Sequence, residues 1–263
     1  MCSSDLTMTG QPDYFSATKS LTLTRDADGV LTASFQRNGQ PLTFTAQDHS
    51  ELVEAFYRIG QDHANTVVIL TGSGGDFIPG IDFSSFGDVT NPAVLSRIHD
   101  EGVQILENLL NIRVPIIAAV EGRLYVHSEY ALLANVVVAG TTASFNDIPH
   151  FAGGLAPGDG IFTAWSYRAG SGRAEAFLLD PKPIDAKTAH DWGVVAEIVP
   201  DGTSLARARE LARMYLKVPE LTRRATRMHF TQPLKERIVR EVGYGLALES
   251  LSALDLGRSM RAR

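Results

Sequence analysis

Amphipathic helical segments alternate with short apolar runs up to Pro200, and this alternation constrains the fold more than any other feature. Apolar residues recur at helical spacing over 50–59 and over Val94–Leu110. The apolar runs are short and rich in β-branched residues, as strands are: Thr66–Thr71, Val114–Val120 and, after the helical 128–134, Asn135–Ala139. Strands joined by helices need crossover connections, so we expect an α/β fold with a parallel sheet covered on both faces.

Both ends of the chain depart from this alternation. Ser20–Thr24 and Val30–Gln36 flank the turn signal Asp26-Ala-Asp-Gly29, which predicts a β-hairpin. Beyond Pro200 three helices are expected, over the segments Leu205–Leu216, Leu221–Phe230 and Lys235–Leu254. We therefore divide the chain into a flexible tail (1–17), an α/β core (18–200) and a helical C-terminal region (201–263).

Charge and composition exclude several classes of function. The 263 residues carry a net charge of −6 and no basic stripe, so a nucleic-acid partner is not expected. Arg223, Arg224 and Arg227 are flanked by acidic residues and are interpreted as a solvated helix face. The single cysteine, Cys2, permits no intrachain disulfide and no cysteine-based zinc site, which fits a reducing cytoplasm.

No membrane or secretory segment is expected. The longest nearly apolar stretch, Tyr130–Gly140, is well short of the roughly 18 residues of a spanning helix. The first fifteen residues lack the pattern of a signal peptide, and Cys2 in this tail is interpreted as an incidental thiol.

Familiar catalytic and cofactor motifs are missing. The chain has no G-x-S-x-G nucleophile elbow and no H-E-x-x-H zinc motif. The glycines of Thr71–Phe77 follow a strand, but Phe77 stands where the third glycine of a dinucleotide fingerprint would be, which favours a simple turn. We expect neither a metal nor a cofactor.

The loop from His150 to Asp159 contains the strongest catalytic signal. Asp159 lies in Pro157-Gly-Asp-Gly160, directly before a helical pattern, where a carboxylate caps a helix start. The loop is also long enough to fold His150 back onto Asp159, and a carboxylate that orients a histidine makes it a better general base. Cap and catalytic pair remain alternatives for Asp159.

Two further charged residues stand in unusual places. Glu249 is centred on an apolar helix stripe with Ile238 and Val242, where glutamate is rarely buried without a partner, so a role at a site is expected. The alternative is a salt bridge to a neighbouring subunit. His127 follows the apolar strand Val114–Val120, at the edge where α/β sheets bind ligands, although a lone histidine is often structural.

Several segments together resemble the crotonase (enoyl-CoA hydratase/isomerase) superfamily over about residues 18–258. They are Val67-Val-Ile-Leu-Thr-Gly72, Gly80-Ile-Asp-Phe83, Val114-Pro-Ile-Ile-Ala-Ala-Val-Glu-Gly122 and Gly154-Leu-Ala-Pro-Gly158. The resemblance implies a spiral of ββα repeats with a C-terminal helical region for trimerisation. Typical members carry a triple glycine where this chain has Val126-His127-Ser128, and two glutamates where it has Tyr130 and His150. These departures argue against coenzyme A chemistry.

A closer resemblance is to the β-diketone hydrolase branch, the 6-oxocamphor hydrolase family. Its similarity lies in Val126-His127, Phe145…Phe151, Gly154…Gly160 and Gly245-Leu-Ala-Leu-Glu249. The family cleaves a carbon–carbon bond of cyclic 1,3-diketones by retro-Claisen hydrolysis without a cofactor. The resemblance assigns its histidine–aspartate pair to His150 and Asp159, its second histidine to His127 and its glutamate to Glu249.

This resemblance implies that His150, oriented by Asp159, activates water, while His127 and Glu249 bind the second carbonyl or protonate the enolate. Phe44, Ile81, Phe83 and Phe86 are candidates for an apolar substrate pocket, and core packing is an equal alternative for each. Phe44 stands where the family is expected to have tryptophan. A homotrimer or hexamer is implied. The alternatives are an acyl-CoA hydratase or isomerase and a non-catalytic crotonase-fold scaffold.

Overall fold

The computed structural model describes residues 12–180 and 182–261. The strands are β1 (Leu21–Arg25), β2 (Val30–Arg37), β3 (Gln40–Pro41), β4 (Thr43–Phe44), β5 (Val67–Thr71), β6 (Gly80–Ile81), β7 (Ile116–Val120), β8 (Arg123–Leu124), β9 (Val136–Gly140), β10 (Ser144–Phe145), β11 (Ile184–Asp185) and β12 (Glu197–Val199). The α-helices are α1 (Ala46–Gln61), α2 (Pro92–Asn111), α3 (Glu129–Leu132), α4 (Ile161–Ala169), α5 (Ser171–Leu179), α6 (Ala186–Asp191), α7 (Ser204–Leu216) and α8 (Glu220–Arg261).

The main sheet confirms the α/β prediction. Its order is β1-β2-β5-β7-β9-β12, with β3 paired to β2. The β1–β2 hairpin is antiparallel, and β2, β5, β7, β9 and β12 are parallel. All residues of β5 and β7 are buried, as expected of strands covered by helices on both faces.

Local sequence signals fix where the long helices begin. A capping box starts α1: the Thr45 hydroxyl accepts from the Asp48 N–H, and the Asp48 carboxylate accepts from the Thr45 N–H. The Asn91 side chain caps α2, with Pro92 in the first turn, where its missing N–H is not needed. The capping residues therefore start both helices a few residues before the apolar pattern at residue 50 and at Val94.

Two small sheets stand beside the main one. In the first, β10 pairs with β8 in parallel, with Leu124 opposite Phe145, and with β11 antiparallel. In the second, β4 and β6 are parallel, with Phe44 opposite Ile81. The short strands that follow the main strands thus bring separate loops together.

The C-terminal region differs from its prediction in one respect. Two helices were expected, over 221–230 and 235–254, but α8 runs through Pro233 without a break. Proline removes one helical hydrogen bond. The buried side chains of Leu234, Ile238, Val242 and Leu246 recur every four residues and pack in the core, so tertiary packing keeps the helix continuous.

Two further expectations fail. Residues 1–11 of the expected tail, including Cys2, lie outside the described residues, but Asp13–Ser16 forms a 3₁₀ turn whose Tyr14 is buried and donates to Asp62. Arg227 is also not on a solvated face, because only 2% of it is exposed. In the part of the chain that is described, no helix has both the length and the apolarity to cross a bilayer.

Candidate active site

The pairing of β8 with β10 brings two histidines together. His127 follows β8 and His150 follows β10, and since the two strands are parallel their carboxyl ends are neighbours. Asp159 lies just before α4, and Glu249 lies on α8. The four polar residues predicted from the sequence therefore meet at one place, where the Asp159 carboxylate lies between the two imidazoles.

His127 is held from several sides. Its Nδ1 lies 2.8 Å from Glu129 Oε1 and 3.2 Å from Asp159 Oδ2. Its ring stacks on Tyr130, with centroids 4.8 Å apart, and contacts the ring of Phe44 at 4.3 Å. Its backbone φ is +51°, a left-handed conformation that costs a non-glycine residue energy and often occurs at functional sites. These contacts engage Nδ1 and leave Nε2 as the nitrogen for a ligand.

His150 is oriented by a residue that the sequence analysis did not single out. Its Nδ1 is hydrogen-bonded to Asp147 Oδ1 at 2.7 Å. Its Nε2 lies 3.5 Å from Asp159 Oδ2 and 3.8 Å from Glu249 Oε2. The expected neighbour, Asp159, is thus present, but it lies beside Nε2 of His150. The Nδ1 atom is held by Asp147 instead.

Asp159 lies at the start of α4, as expected, but the N-cap residue is Gly160. The Oδ1 of Asp159 accepts a hydrogen bond from the N–H of Ile161, the first residue of α4, at 3.1 Å. Its Oδ2 is the atom that approaches both histidines. This hydrogen bond holds the carboxylate so that its second oxygen is directed at the imidazoles.

Two glycines let α8 deliver Glu249 to this cluster. A Cβ on Gly158 would lie 2.1 Å from the carbonyl oxygen of Gly245, and one on Gly245 would lie 2.3 Å from that of Gly158. No side chain fits at either position, so the loop and α8 touch backbone to backbone. One turn further on, the Glu249 side chain reaches His150 and is 16% exposed.

The resulting histidine–carboxylate cluster comprises His127, Glu129, Asp147, His150, Asp159 and Glu249. Apart from Glu249 all are buried, and Glu129 is fully buried. Each of the four carboxylates has one buried oxygen without a well-aligned hydrogen bond among the described residues, although Asp159 Oδ2 and Glu249 Oε2 lie within ion-pair distance of a histidine. The cluster therefore holds more acceptors than the two imidazoles can satisfy, an arrangement that favours protons or polar ligands.

Burial and charge act in opposite directions on the titrating groups. Burial lowers the pKa of His127, but the charge of Glu129 and the contact of the His127 N–H with the Asp159 carboxylate outweigh burial and raise the pKa to about 10. Burial likewise lowers the pKa of His150, while the charges of Asp159 and Asp147 raise it well above its usual value. Burial and the nearby Asp159 raise the pKa of Glu129 to about 7, against the opposing effect of His127.

The pKa of Asp159 is lowered. Burial favours its neutral form, but the charges of His150 and His127 outweigh burial. The cluster consequently contains a stable carboxylate between two strongly basic imidazoles. Such a separation of pKa values among neighbouring buried residues is typical of acid–base sites.

Three of these residues could hold a metal ion. His127, Glu129 and Asp159 offer ligand atoms within 4.8 Å of one another. In the structure the same atoms form close ion pairs through Nδ1 of His127. A cation would have to replace the proton on Nδ1, which the raised pKa of His127 opposes.

The four apolar candidates occupy different positions. Phe44 is fully buried against His127, and Ile81 is its register partner. Phe86 lies 6.2 Å from the ring of the buried His49. Phe83 is 47% exposed and lies beside Gly153, in the loop after His150.

Sequence reasoning missed Glu129, Asp147 and His49. His49 is buried, its Nδ1 lies 2.8 Å from Glu101, and its ring lies 6.4 Å from that of His127. Glu129 is a charged residue in an otherwise apolar stretch, which is the signal that identified Glu249. Asp147 stands three residues before His150, a spacing that gives no signal in irregular backbone.

Comparison with known proteins identifies the family of the chain. The enoyl-CoA hydratase/isomerase family model matches residues 25–248. A probable peroxisomal enoyl-CoA hydratase of Arabidopsis thaliana is 28% identical over 86% of this chain and 82% of the relative. A 1,2-epoxyphenylacetyl-CoA isomerase of Escherichia coli K12 is 30% identical over 70% of this chain and 72% of the relative.

A solved structure matches more closely still. It is a β-diketone hydrolase from the cyanobacterium Anabaena sp. PCC 7120, bound to (S)-3-oxocyclohexyl acetic acid. It is 42% identical to this chain, covers 94% of it and 98% of its own length, and superposes with a TM-score of 0.91. This similarity confirms the resemblance to the β-diketone hydrolase branch. The chain belongs to the crotonase superfamily, the enoyl-CoA hydratase/isomerase family.

Proposed function

We propose that this protein hydrolyses a carbon–carbon bond of a cyclic 1,3-diketone to give a keto acid, in a retro-Claisen reaction at the histidine–carboxylate cluster. The observation that carries the proposal is that Asp159 Oδ2 and Glu249 Oε2 both lie within 3.8 Å of His150 Nε2. The similarity to the Anabaena β-diketone hydrolase supports the substrate class.

His150 is the proposed base for the nucleophilic water. With its Nδ1–H donated to Asp147, neutral His150 presents a lone pair at Nε2. Contacts of 3.5 and 3.8 Å from Nε2 to two carboxylates suit a water held between them. The water gives a proton to Nε2 as its oxygen attacks a carbonyl carbon, and the imidazolium is stabilised by Asp147 and Asp159.

The tetrahedral intermediate then breaks the bond between the attacked carbon and the carbon between the two carbonyls. The electron pair of that bond passes into the second carbonyl, which becomes an enolate, and the attacked carbon becomes a carboxylic acid. The central carbon finally takes up one proton, so that one water is added overall. Apart from this water, no oxidant, reductant or second substrate is needed.

His127 is proposed to stabilise the enolate. Its raised pKa keeps it protonated at neutral pH, and its engaged Nδ1 leaves Nε2–H as the donor. The ring is fixed between Tyr130 and Phe44, so this donor is already oriented before charge develops on the substrate oxygen. Glu249, the most exposed carboxylate of the cluster, is proposed to hold the water or return the proton to carbon.

The sequence relatives favour a second candidate, an acyl-CoA hydratase or isomerase. The two functions are separated by one pair of assays. Incubation with a symmetric bicyclic 1,3-diketone should consume the diketone chromophore, and crotonyl-CoA should remain unchanged. Turnover of crotonyl-CoA without turnover of the diketone would establish the acyl-CoA reaction instead.

We also propose that the second half of α8 mediates self-association, as the expected trimer or hexamer requires. Tyr244, Leu248 and Leu251 form an exposed stripe at helical spacing, and Tyr244 is 72% exposed. Light scattering should give a trimer or hexamer mass for the wild type. The substitution Leu251→Glu should lower that mass.

A further inference from the structure

A second charged region lies apart from the histidine–carboxylate cluster and shares no residue with it. A cleft of about 410 Å³ opens at the amino-terminal ends of β7 and β9, beside the turn of α8 that contains Pro233. Its size lies within the range of small-molecule sites. Arg168 and Arg227 supply its charge, and Tyr167, Phe230 and Leu234 supply apolar surface. We call this region the arginine cleft.

Arg227 is bound only to neutral acceptors. Its Nε donates to the carbonyl of Ile112 at 3.3 Å, and its Nη1 donates to the carbonyl of Leu133 at 3.1 Å and to Asn135 Oδ1 at 3.3 Å. Nη2 is buried and has no hydrogen-bond partner among the described residues. The two N–H groups of Nη2 are thus unused in a residue of which only 2% is exposed.

Arg168 adds a second positive charge. Its Nε donates to the carbonyl of Leu132 at 3.0 Å, and its Nη2 donates to that of Ala134. Within the described residues neither Arg168 nor Arg227 forms an ion pair with a carboxylate. Burial and the proximity of Arg168 lower the pKa of Arg227 to about 9, as expected for neighbouring cations without a counter-charge.

Arg227 is a buried charge without a counter-charge, which is unfavourable, and the partly buried Arg168 beside it adds to the preference for an anion. We propose that the arginine cleft binds a small organic carboxylate, with its charged end toward Arg227 and Arg168 and its apolar body against Tyr167 and Phe230. Guanidinium groups bind carboxylates through charge-assisted hydrogen bonds, and the apolar wall favours a ring-containing acid over acetate. This binding is independent of the reaction proposed at the histidine–carboxylate cluster.

Calorimetric titration of the full chain with benzoate tests the proposal, with benzamide as the neutral probe of the same shape. Benzoate should bind saturably, and benzamide at least tenfold more weakly. Arg168→Gln should lower benzoate affinity at least tenfold, because it removes the more accessible charge. Phe230→Ala should lower it about threefold, because Phe230 is an exposed wall residue whose loss leaves the core intact.

Arg213→Gln is the matched control, because Arg213 is exposed on α7 and does not line the cleft. Its benzoate affinity should equal that of the wild type, and circular dichroism should show that all variants are folded. Absence of saturable benzoate binding would overturn the proposal. Equal binding by the wild type and Arg168→Gln would also overturn it, because it would place the probe elsewhere, including at the histidine–carboxylate cluster.

Discussion

The histidine–carboxylate cluster and the arginine cleft both bury charge, but they differ in sign and in what surrounds the charge. In the cluster four carboxylates face two imidazoles, and every carboxylate has a buried oxygen without a well-aligned hydrogen bond among the described residues. In the cleft two guanidiniums face backbone carbonyls and one amide oxygen. The first region can exchange protons near neutral pH, whereas guanidinium groups remain charged.

The difference separates two uses of buried charge. A proton-exchanging cluster suits chemistry, because its groups can gain and lose protons during a reaction. A set of fixed cations fastened to carbonyls suits structure and anion binding. The burial of charged groups therefore does not by itself indicate an active site. A cluster whose buried groups can gain and lose protons is the better indication.

The largest expected effect is on catalysis. His150→Ala should lower kcat for diketone hydrolysis by about 10²- to 10⁴-fold, because it removes the proposed base. The circular dichroism spectrum should be unchanged. His190→Ala, at an exposed histidine, is the control and should keep full activity. Near wild-type turnover in His150→Ala would remove this residue from the mechanism.

The next effect is on stability and concerns the arginine cleft. Arg227→Met should lower the free energy of unfolding by about 2 kcal/mol, because the carbonyls of Ile112 and Leu133 lose their donor. Urea denaturation measures the change. Arg213→Met should alter it by less than about 0.5 kcal/mol. Equal stability of Arg227→Met and wild type would show that these hydrogen bonds do not support the fold.

Asp159→Asn should separate the two functions of that side chain. Asparagine keeps an oxygen that can accept the hydrogen bond from the Ile161 N–H, so circular dichroism should show that α4 is kept. The negative charge between the histidines is lost, so kcat should fall at least about tenfold, or 1.4 kcal/mol. A kcat within about twofold of the wild type would leave Asp159 only its hydrogen bond to the start of α4.

The smallest expected effect is on the pH dependence of activity, which reports the protonation state of His150. Because the pKa of His150 is raised, the fraction of neutral base is small at neutral pH and grows as the pH rises. The value of kcat/KM should therefore increase with pH above about 7. Asp147→Asn removes a charge that raises this pKa and should move the rise to lower pH. A profile that is flat from about pH 6 to 9 would contradict the assignment.

The same comparison shows what the sequence could predict. The alternation of helices and strands predicted the parallel sheet, because buried strands and amphipathic helices have local signatures. His127, His150, Asp159 and Glu249 were recognisable from their positions and from the resemblance. Their placement in one cluster is shown by the structure, whereas their roles remain proposals.

The remaining features depend on contacts between distant segments. The bond from Asp147 to His150 lies in irregular backbone that no periodicity describes. Arg227 looks like a solvated residue of a charged helix until the carbonyls of Ile112 and Leu133 are brought to it. The continuity of α8 through Pro233 is likewise decided by packing in the core, which outweighs the local preference for a break.

Isotope labelling of the product tests the central claim most directly. The protein is incubated with a symmetric bicyclic 1,3-diketone in ¹⁸O-labelled water, and the product is analysed by mass spectrometry after correction for ketone exchange in a parallel sample without protein. The account predicts a ring-opened keto acid with one ¹⁸O in its carboxylate, formed by the wild type and greatly reduced in His150→Ala. Recovery of intact diketone from the wild type, or a ring-opened acid without label, would contradict hydrolysis at this cluster.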